Sequence, residues 1–234
     1  MPFIQEWPAY LEALIRLLYP ATCGLCSEML NLQQRGLCKH CRNDLVALQY
    51  PISKIKNELS LTGIENVWTL FPYESTVRDL ITAVKFSGKH WLLKEFSQSL
   101  QTFGMLASDA PSYDFVASIP SHVTTYVQRE FNQADLLAQM VSKITRTPVK
   151  NMLHKKFHTP HQSRLNRRER AVNLWGVFSL RPKYRSVILD KSVLIVDDIL
   201  TTGSTAEEAA RCLADAGAAK IDFLALARTE PAAL

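Results

Sequence analysis

No stretch of this 234-residue sequence comes near the roughly 20 consecutive apolar residues that a membrane-crossing helix needs, so no integral membrane association is expected. Internal repeats and low-complexity tracts are lacking too, which sets aside solenoid arrays and long disordered linkers. The first 18 residues lack the basic start and the small-residue cleavage site of an export signal. They place Trp7, Tyr10, Leu11, Leu14, Ile15 and Leu18 at helical spacing, with Glu6 and Glu12 among them. That pattern reads as an amphipathic helix that docks on the protein itself, and a cytoplasmic protein is expected. Cysteine is scarce, five residues in all, and without an export signal disulfides are the weaker use for it.

What is present suits one substantial core with a small appended module: 47% of the residues are hydrophobic. The net charge of +5 suits anionic partners, phosphorylated metabolites or nucleic acid, without choosing between them. Four of the cysteines form two pairs, Cys23-x-x-Cys26 and Cys38-x-x-Cys41, with eleven residues between the pairs. Two such knuckles can surround one tetrahedral zinc with thiolates, and Gly24 and Gly36 give the tight turns their backbone freedom. A redox Cys-x-x-Cys would explain only one pair. Cys212 stands alone among Ala209, Ala210 and Leu213 and reads as a small buried hydrophobe.

The most informative stretch is 193–205, VLIVDDILTTGST. Four apolar residues suit a strand covered on both faces, as in a parallel sheet. Asp197 and Asp198 follow where that strand is expected to end, facing solvent. Thr201, Thr202, Gly203, Ser204 and Thr205 then lead into a helix expected to begin near Ala206. Ligands of open α/β sheets sit at the carboxyl ends of strands, and a hydroxyl-rich turn into a helix presents N–H groups to a phosphate. Carboxylates beside it can accept hydrogen bonds from sugar hydroxyls. A well-capped helix is the plainer alternative, but capping does not call for two adjacent acids and three threonines.

This stretch resembles the phosphoribosyl-pyrophosphate (PRPP) signature of type I phosphoribosyltransferases. The resemblance implies that Asp197 and Asp198 hold the ribose hydroxyls, that 201–205 cradle the 5′-phosphate, and that Mg²⁺ accompanies PRPP. The polar segment 155–170, KKFHTPHQSRLNRRER, is similar to the flexible loop of amidophosphoribosyltransferase-like enzymes, which closes over PRPP. It implies PRPP contacts for Thr159 and Gln162, and catalytic roles for Arg164 and Arg170 beside the acids. Arg129, in Arg129-Glu130-Phe131-Asn132-Gln133, stands where that family has its pyrophosphate loop; Glu130 replaces a usual glycine. With the double Cys-x-x-Cys module and Ala83-Val84-Lys85-Phe86-Ser87-Gly88, the whole order of motifs resembles the ComF family of competence-associated, phosphoribosyltransferase-like proteins. That family implies a role in natural transformation, after single-stranded DNA has entered the cell.

The expected fold is α/β, type I phosphoribosyltransferase-like, a Rossmann-like parallel sheet flanked by helices, with a small N-terminal four-cysteine zinc module. The expected divisions are 1–50 for the N-terminal helix and zinc module, 51–65 for a linker and 66–234 for the phosphoribosyltransferase-like domain. Strands are expected at 67–71, 114–119, 149–153, 177–180, 193–196 and 221–227, and helices at 76–86, 91–103, 133–144 and from 206. Three functions compete. One is transfer of ribose 5-phosphate from PRPP to an unknown acceptor, with the zinc module as a hood over the site. A second is binding of single-stranded DNA through Lys155, Lys156, Arg164, Arg167, Arg168 and Arg170, with Phe157 and Trp175 for stacking. The third is a scaffold whose zinc module recruits other competence or recombination proteins. A PRPP-binding competence protein with a nucleic-acid role is the favoured reading.

Overall fold

The computed structural model describes residues 19–31, 33–57, 59–108, 113–121, 131–156 and 176–229. The N-terminal amphipathic stretch lies outside them, as do residues 122–130 and 157–175. Its elements are α1 (Lys39–Leu48), α2 (Ile52–Ile55), β1 (Lys56–Asn57), β2 (Val67–Pro72), α3 (Ser75–Phe86), a 3-10 helix (His90–Phe96), α4 (Ser97–Ser108), β3 (Phe115–Ser118), α5 (Gln133–Thr145), β4 (Leu153–Lys155), β5 (Phe178–Leu180), β6 (Ser192–Leu200), α6 (Ser204–Ala214) and β7 (Lys220–Arg228).

β6 is the centre of the protein because its apolar residues serve two layers. Leu194 and Val196 join one core with α3, α4 and α5, while Val193 and Ile195 join another with α6 and the β4–β5 hairpin. This alternation is the period of two that a strand imposes. The sheet order is β1-β2-β7-β6-β3, parallel except for β1, which pairs antiparallel with β2 at its edge. β4 and β5 form a separate antiparallel pair.

Most expected elements are present, with shifted ends. The 91–103 segment, expected as one α-helix, is a 3-10 helix followed by α4. In a 3-10 helix residues three apart eclipse, which aligns Leu93 with Phe96 toward the core. Trp91 remains partly exposed at 39%. Residues 51–65, expected as a linker, carry α2 and β1 and bury Ile55 and Leu61.

The cysteine module packs on the α3 side. Cys23, Leu37, Cys38, Cys41 and Leu45 belong to the same core as Val77, Leu80 and Leu92. Gly24 is needed for close approach, since an added Cβ would lie 2.6 Å from Leu92 Cδ2. Gly36 is needed for its φ of +80°.

Candidate functional site

β6 delivers the acids to a place where the sheet is one strand short. On one side β3 ends with Ser118 opposite Val196, and the last bond there is Ile119 N–H to the Val196 carbonyl at 3.0 Å. On the other side β7 continues, from Asp197 opposite Ala225 to Leu200 opposite Arg228. The strand therefore does not end before the acids, as its apolar run suggested. It runs through them to Leu200, carried by β7, with no strand on its other edge among the described residues.

That extension corrects a second expectation. Neighbours in a strand point to opposite faces, so the two acids pack against different layers. Asp198 continues the parity of Leu194 and Val196, toward the α3 layer. It is buried, 8% exposed, and its Oδ2 meets Lys85 Nζ from the last turn of α3 at 2.8 Å. It does not face solvent. Asp197 follows Val193 and Ile195 toward the hairpin layer, is half-buried, and feels the charge of Lys155 at the end of β4. Each acid thus has a lysine in its own layer. Asp197 Oδ1 also accepts the Asp198 N–H at 2.8 Å. Burial and the neighbouring Asp198 charge push Asp197 up to about 7, against that N–H and the two lysines. Burial lowers the Lys155 pKa, with Asp197 opposing it.

The threonine-rich turn lies directly beyond. Gly203 takes φ +86° at the N-cap of α6, and an added Cβ there would collide with Leu61. α6 starts at Ser204, two residues before the expected Ala206. Thr202 Oγ1 and Ser204 Oγ are 3.1 Å apart. Among the described residues, the backbone N–H groups of 201–206 meet no backbone carbonyl. An eleven-residue helix thus opens on a turn of unspent donors beside a carboxylate pair, which suits a phosphate next to a sugar. Beyond β3 a cleft of about 300 Å³ is lined by Ser118, Ser121, Asn132, Asp135 and Arg181.

The structure brings together Asp197, Asp198, Thr201, Thr202, Gly203, Ser204 and Thr205, with Lys155 at the edge of the group. Lys156 is exposed, and its N–H bonds the Val177 carbonyl. Arg129, Thr159, Gln162, Arg164, Arg167, Arg168 and Arg170 lie outside the described residues, as do Phe157 and Trp175. Of the Arg129–Gln133 motif, Asn132 caps α5: its Oδ1 accepts the Ala134 N–H at 3.3 Å, and its Nδ2 donates to the Ile119 carbonyl at 2.9 Å. Lys85 stands in the sequence only as one residue of the Ala83–Gly88 motif, without a site role of its own. The available signal was a lone cation at the C-terminal end of a strongly amphipathic helix following the first parallel strand.

Cys23, Cys26, Cys38 and Cys41 bring their four sulfurs within 4.8 Å of one another. Cys26 Sγ and Cys38 Sγ are 3.6 Å apart, close to the ~3.8 Å edge of a tetrahedron with ~2.3 Å zinc–sulfur bonds. The Cys41 N–H points at Cys38 Sγ from 3.5 Å, which orients that sulfur inward. Burial and the neighbouring thiols raise the pKa of Cys41. A cation at the centre is what allows four adjacent thiolates. The residues fit a structural zinc.

Comparison with known proteins agrees with this geometry. The phosphoribosyl transferase domain model matches residues 112–232, and the double zinc ribbon domain model matches residues 14–54. The chain belongs to the phosphoribosyl transferase domain family, with a zinc ribbon module at its N-terminal side. Within that class it is similar to the "Competence protein F" of Haemophilus influenzae, 26% identical over 88% of this chain and 96% of that protein. It is similar also to the "DNA utilization protein YhgH" of Escherichia coli K12, 28% identical over 90% and 98%. "Competence protein ComFC" of Bacillus subtilis is 24% identical over 88% and 78%. The likeness to the ComF family thus extends over most of the chain. Among solved structures, an adenine phosphoribosyltransferase from Leishmania donovani aligns over 74% of this chain and 86% of its own, at 13% identity and a TM-score of 0.39. No helix among the described residues is long and apolar enough to cross a membrane.

Proposed function

We propose that this chain binds PRPP, accompanied by Mg²⁺, and serves natural transformation in the cytoplasm, acting with internalised single-stranded DNA. The observation that carries the ligand is the open turn 201–206 beside two acids on a half-paired strand. The 5′-phosphate takes the turn's N–H groups and hydroxyls, and the ribose hydroxyls donate to Asp197 and Asp198. Mg²⁺ would supply charge neutralisation of the pyrophosphate; the chain's own part is to orient the sugar through Asp197 and Asp198. The competence and DNA-utilization names of its relatives support the biological setting. The basic run 155–170 supports the DNA contact, as cations that release counterions from a phosphate backbone.

A second reading, transfer of ribose 5-phosphate to an acceptor, is favoured by the cleft beside β3, which has room for a leaving pyrophosphate. Catalysis there would come from holding that leaving group and supplying positive charge as an oxocarbenium-like centre forms.

Thermal denaturation with PRPP and Mg²⁺ tests the ligand. A ligand at one hundred times its Kd stabilises the native state by about 2.7 kcal/mol. Wild type should shift upward and Asp197→Asn should not; no shift in wild type at millimolar PRPP refutes the reading. For DNA, Arg167→Ala with Arg168→Ala should weaken single-strand binding and flatten its salt dependence. Unchanged binding would remove the loop from that role.

A further inference from the structure

The segment that ends α3 touches three parts of the molecule within six residues. Lys85 Nζ holds Asp198 Oδ2 at 2.8 Å. Lys89 Nζ donates to the Gly24 carbonyl at 2.8 Å, and Gly24 lies between the cysteines Cys23 and Cys26. The His90 ring meets Phe131, which returns the chain into α5, edge-on at 5.4 Å between centroids. The path between these contacts is tightly specified. α3 closes with Ser87 N–H on the Ala83 carbonyl, Gly88 turns the chain with φ +66°, and Leu92 N–H bonds the Lys89 carbonyl.

The module side is held just as closely. The Gly24 N–H bonds the Gly36 carbonyl at 2.8 Å, so the two knuckles are tied across the cluster. An added Cβ on Gly24 would lie 2.9 Å from Trp91 Cη2, which leaves no slack between knuckle and 3-10 helix. Arg42 of α1 adds an ion pair to the nearly buried Glu95 at 3.1 Å. The carbonyl that Lys89 uses therefore has the position the cysteine knuckle gives it. Knuckles of this kind take their fold from the metal they hold.

We propose that residues 85–90 form a strap that couples the four-cysteine cluster to the acidic pair, so that metal held by the cysteines strengthens the sugar-phosphate site by fixing Lys85 on Asp198. The coupling to ligand affinity rests on reading that pair as the ribose site; the strap itself does not. Lys85 is here a positioning residue. It takes one oxygen of Asp198 and sets the direction of the other. Lys89 is the distal anchor, in contact with neither acid, and its loss should imitate loss of metal.

The test compares wild type with Lys89→Met, each zinc-loaded and chelator-stripped, with zinc content measured for all four samples. PRPP affinity with Mg²⁺ is read by calorimetry, and backbone hydrogen exchange is read in the absence of PRPP. Stripping wild type should weaken PRPP binding about tenfold, the factor that about 1.4 kcal/mol of lost charge-assisted hydrogen bonding produces. It should also speed exchange at 84–90 and at 197–204, beyond the module. Zinc-loaded Lys89→Met should already show the weaker binding and the faster exchange at both segments, and stripping should add little there. Exchange changes confined to 19–45 in stripped wild type, or a Lys89→Met chain whose site still responds to zinc as wild type does, overturns the strap. If wild type binds no PRPP in either state, the ligand reading fails alone, and the exchange comparison still decides the coupling.

Discussion

Replacing Asp197 with asparagine should stabilise this protein while abolishing its ligand binding. Asp197 lies beside Asp198, half-buried, in a strand whose open edge faces the site. Burial and the adjacent carboxylate raise its pKa from the ordinary 3.8 to about 7. Such a rise corresponds to at most about 4 kcal/mol against the charged form. Water at the open edge screens the pair, so about 1–2 kcal/mol is the expected gain on neutralisation. Asparagine keeps an Oδ1 for the Asp198 N–H, so that bond survives. The gain has a definite pH signature. The native acid holds its proton up to about 7, whereas the unfolded chain releases it near 3.8. Between those values the native state binds more protons, so this group's contribution to stability falls as pH rises. Above about 7 the penalty is complete. Asp197→Asn should therefore match wild type only below about pH 4 and exceed it near pH 8 by about 2–8 °C in Tm, as expected for a chain of this size. At pH 8 it should show no thermal shift with PRPP and Mg²⁺. A Tm lowered equally at both pH values would mean that Asp197 is a structural acid, and the reasoning would be refuted.

Gly203→Ala should cost about 2–5 kcal/mol in urea unfolding, from the left-handed φ and the collision with Leu61. Leu61→Ala in the same chain should lessen the added cost; two independent, additive losses would show that the turn is not wedged by Leu61. Tyr113→Phe removes the 2.6 Å bond from the phenol to the fully buried Asp222, with an expected loss of about 1.5–3 kcal/mol. PRPP affinity should be unchanged, because Asp222 lies near the amino end of β7, opposite Leu194 and away from the acids; a changed affinity would contradict that placement. Elemental analysis should find one zinc per chain, and Cys41→Ser should reduce it; two zincs or none would contradict a single four-sulfur site.

The parts legible in the sequence were those where one residue type has few uses. Two Cys-x-x-Cys pairs announced a tetrahedral site, and the run 193–205 announced both a buried strand and a loaded turn. The strand's true end was not legible, because it depends on a neighbour. β7 continues past Asp197 while β3 stops at Ser118, and no property of 193–200 encodes where either partner ends. The opposite orientation of the two acids follows from that hidden fact, and so does the burial of Asp198. Lys85 was equally hidden. A lysine near a helix end is ordinary, and only tertiary packing shows that it arrives over the carboxylate 113 positions later in the chain, the difference between 85 and 198. The 51–65 segment read as a linker because α2 spans four residues and β1 two, too short to display a period.

The account depends most on the N–H groups of 201–206 being open to a phosphate. Backbone amide NMR with added ribose 5-phosphate reads those groups one by one. The account predicts large shifts at 201–206 with smaller ones at 197 and 198, and none around Asp222. Unmoved amides at 201–206 under saturating ligand, or shifts centred elsewhere on the sheet, would contradict it.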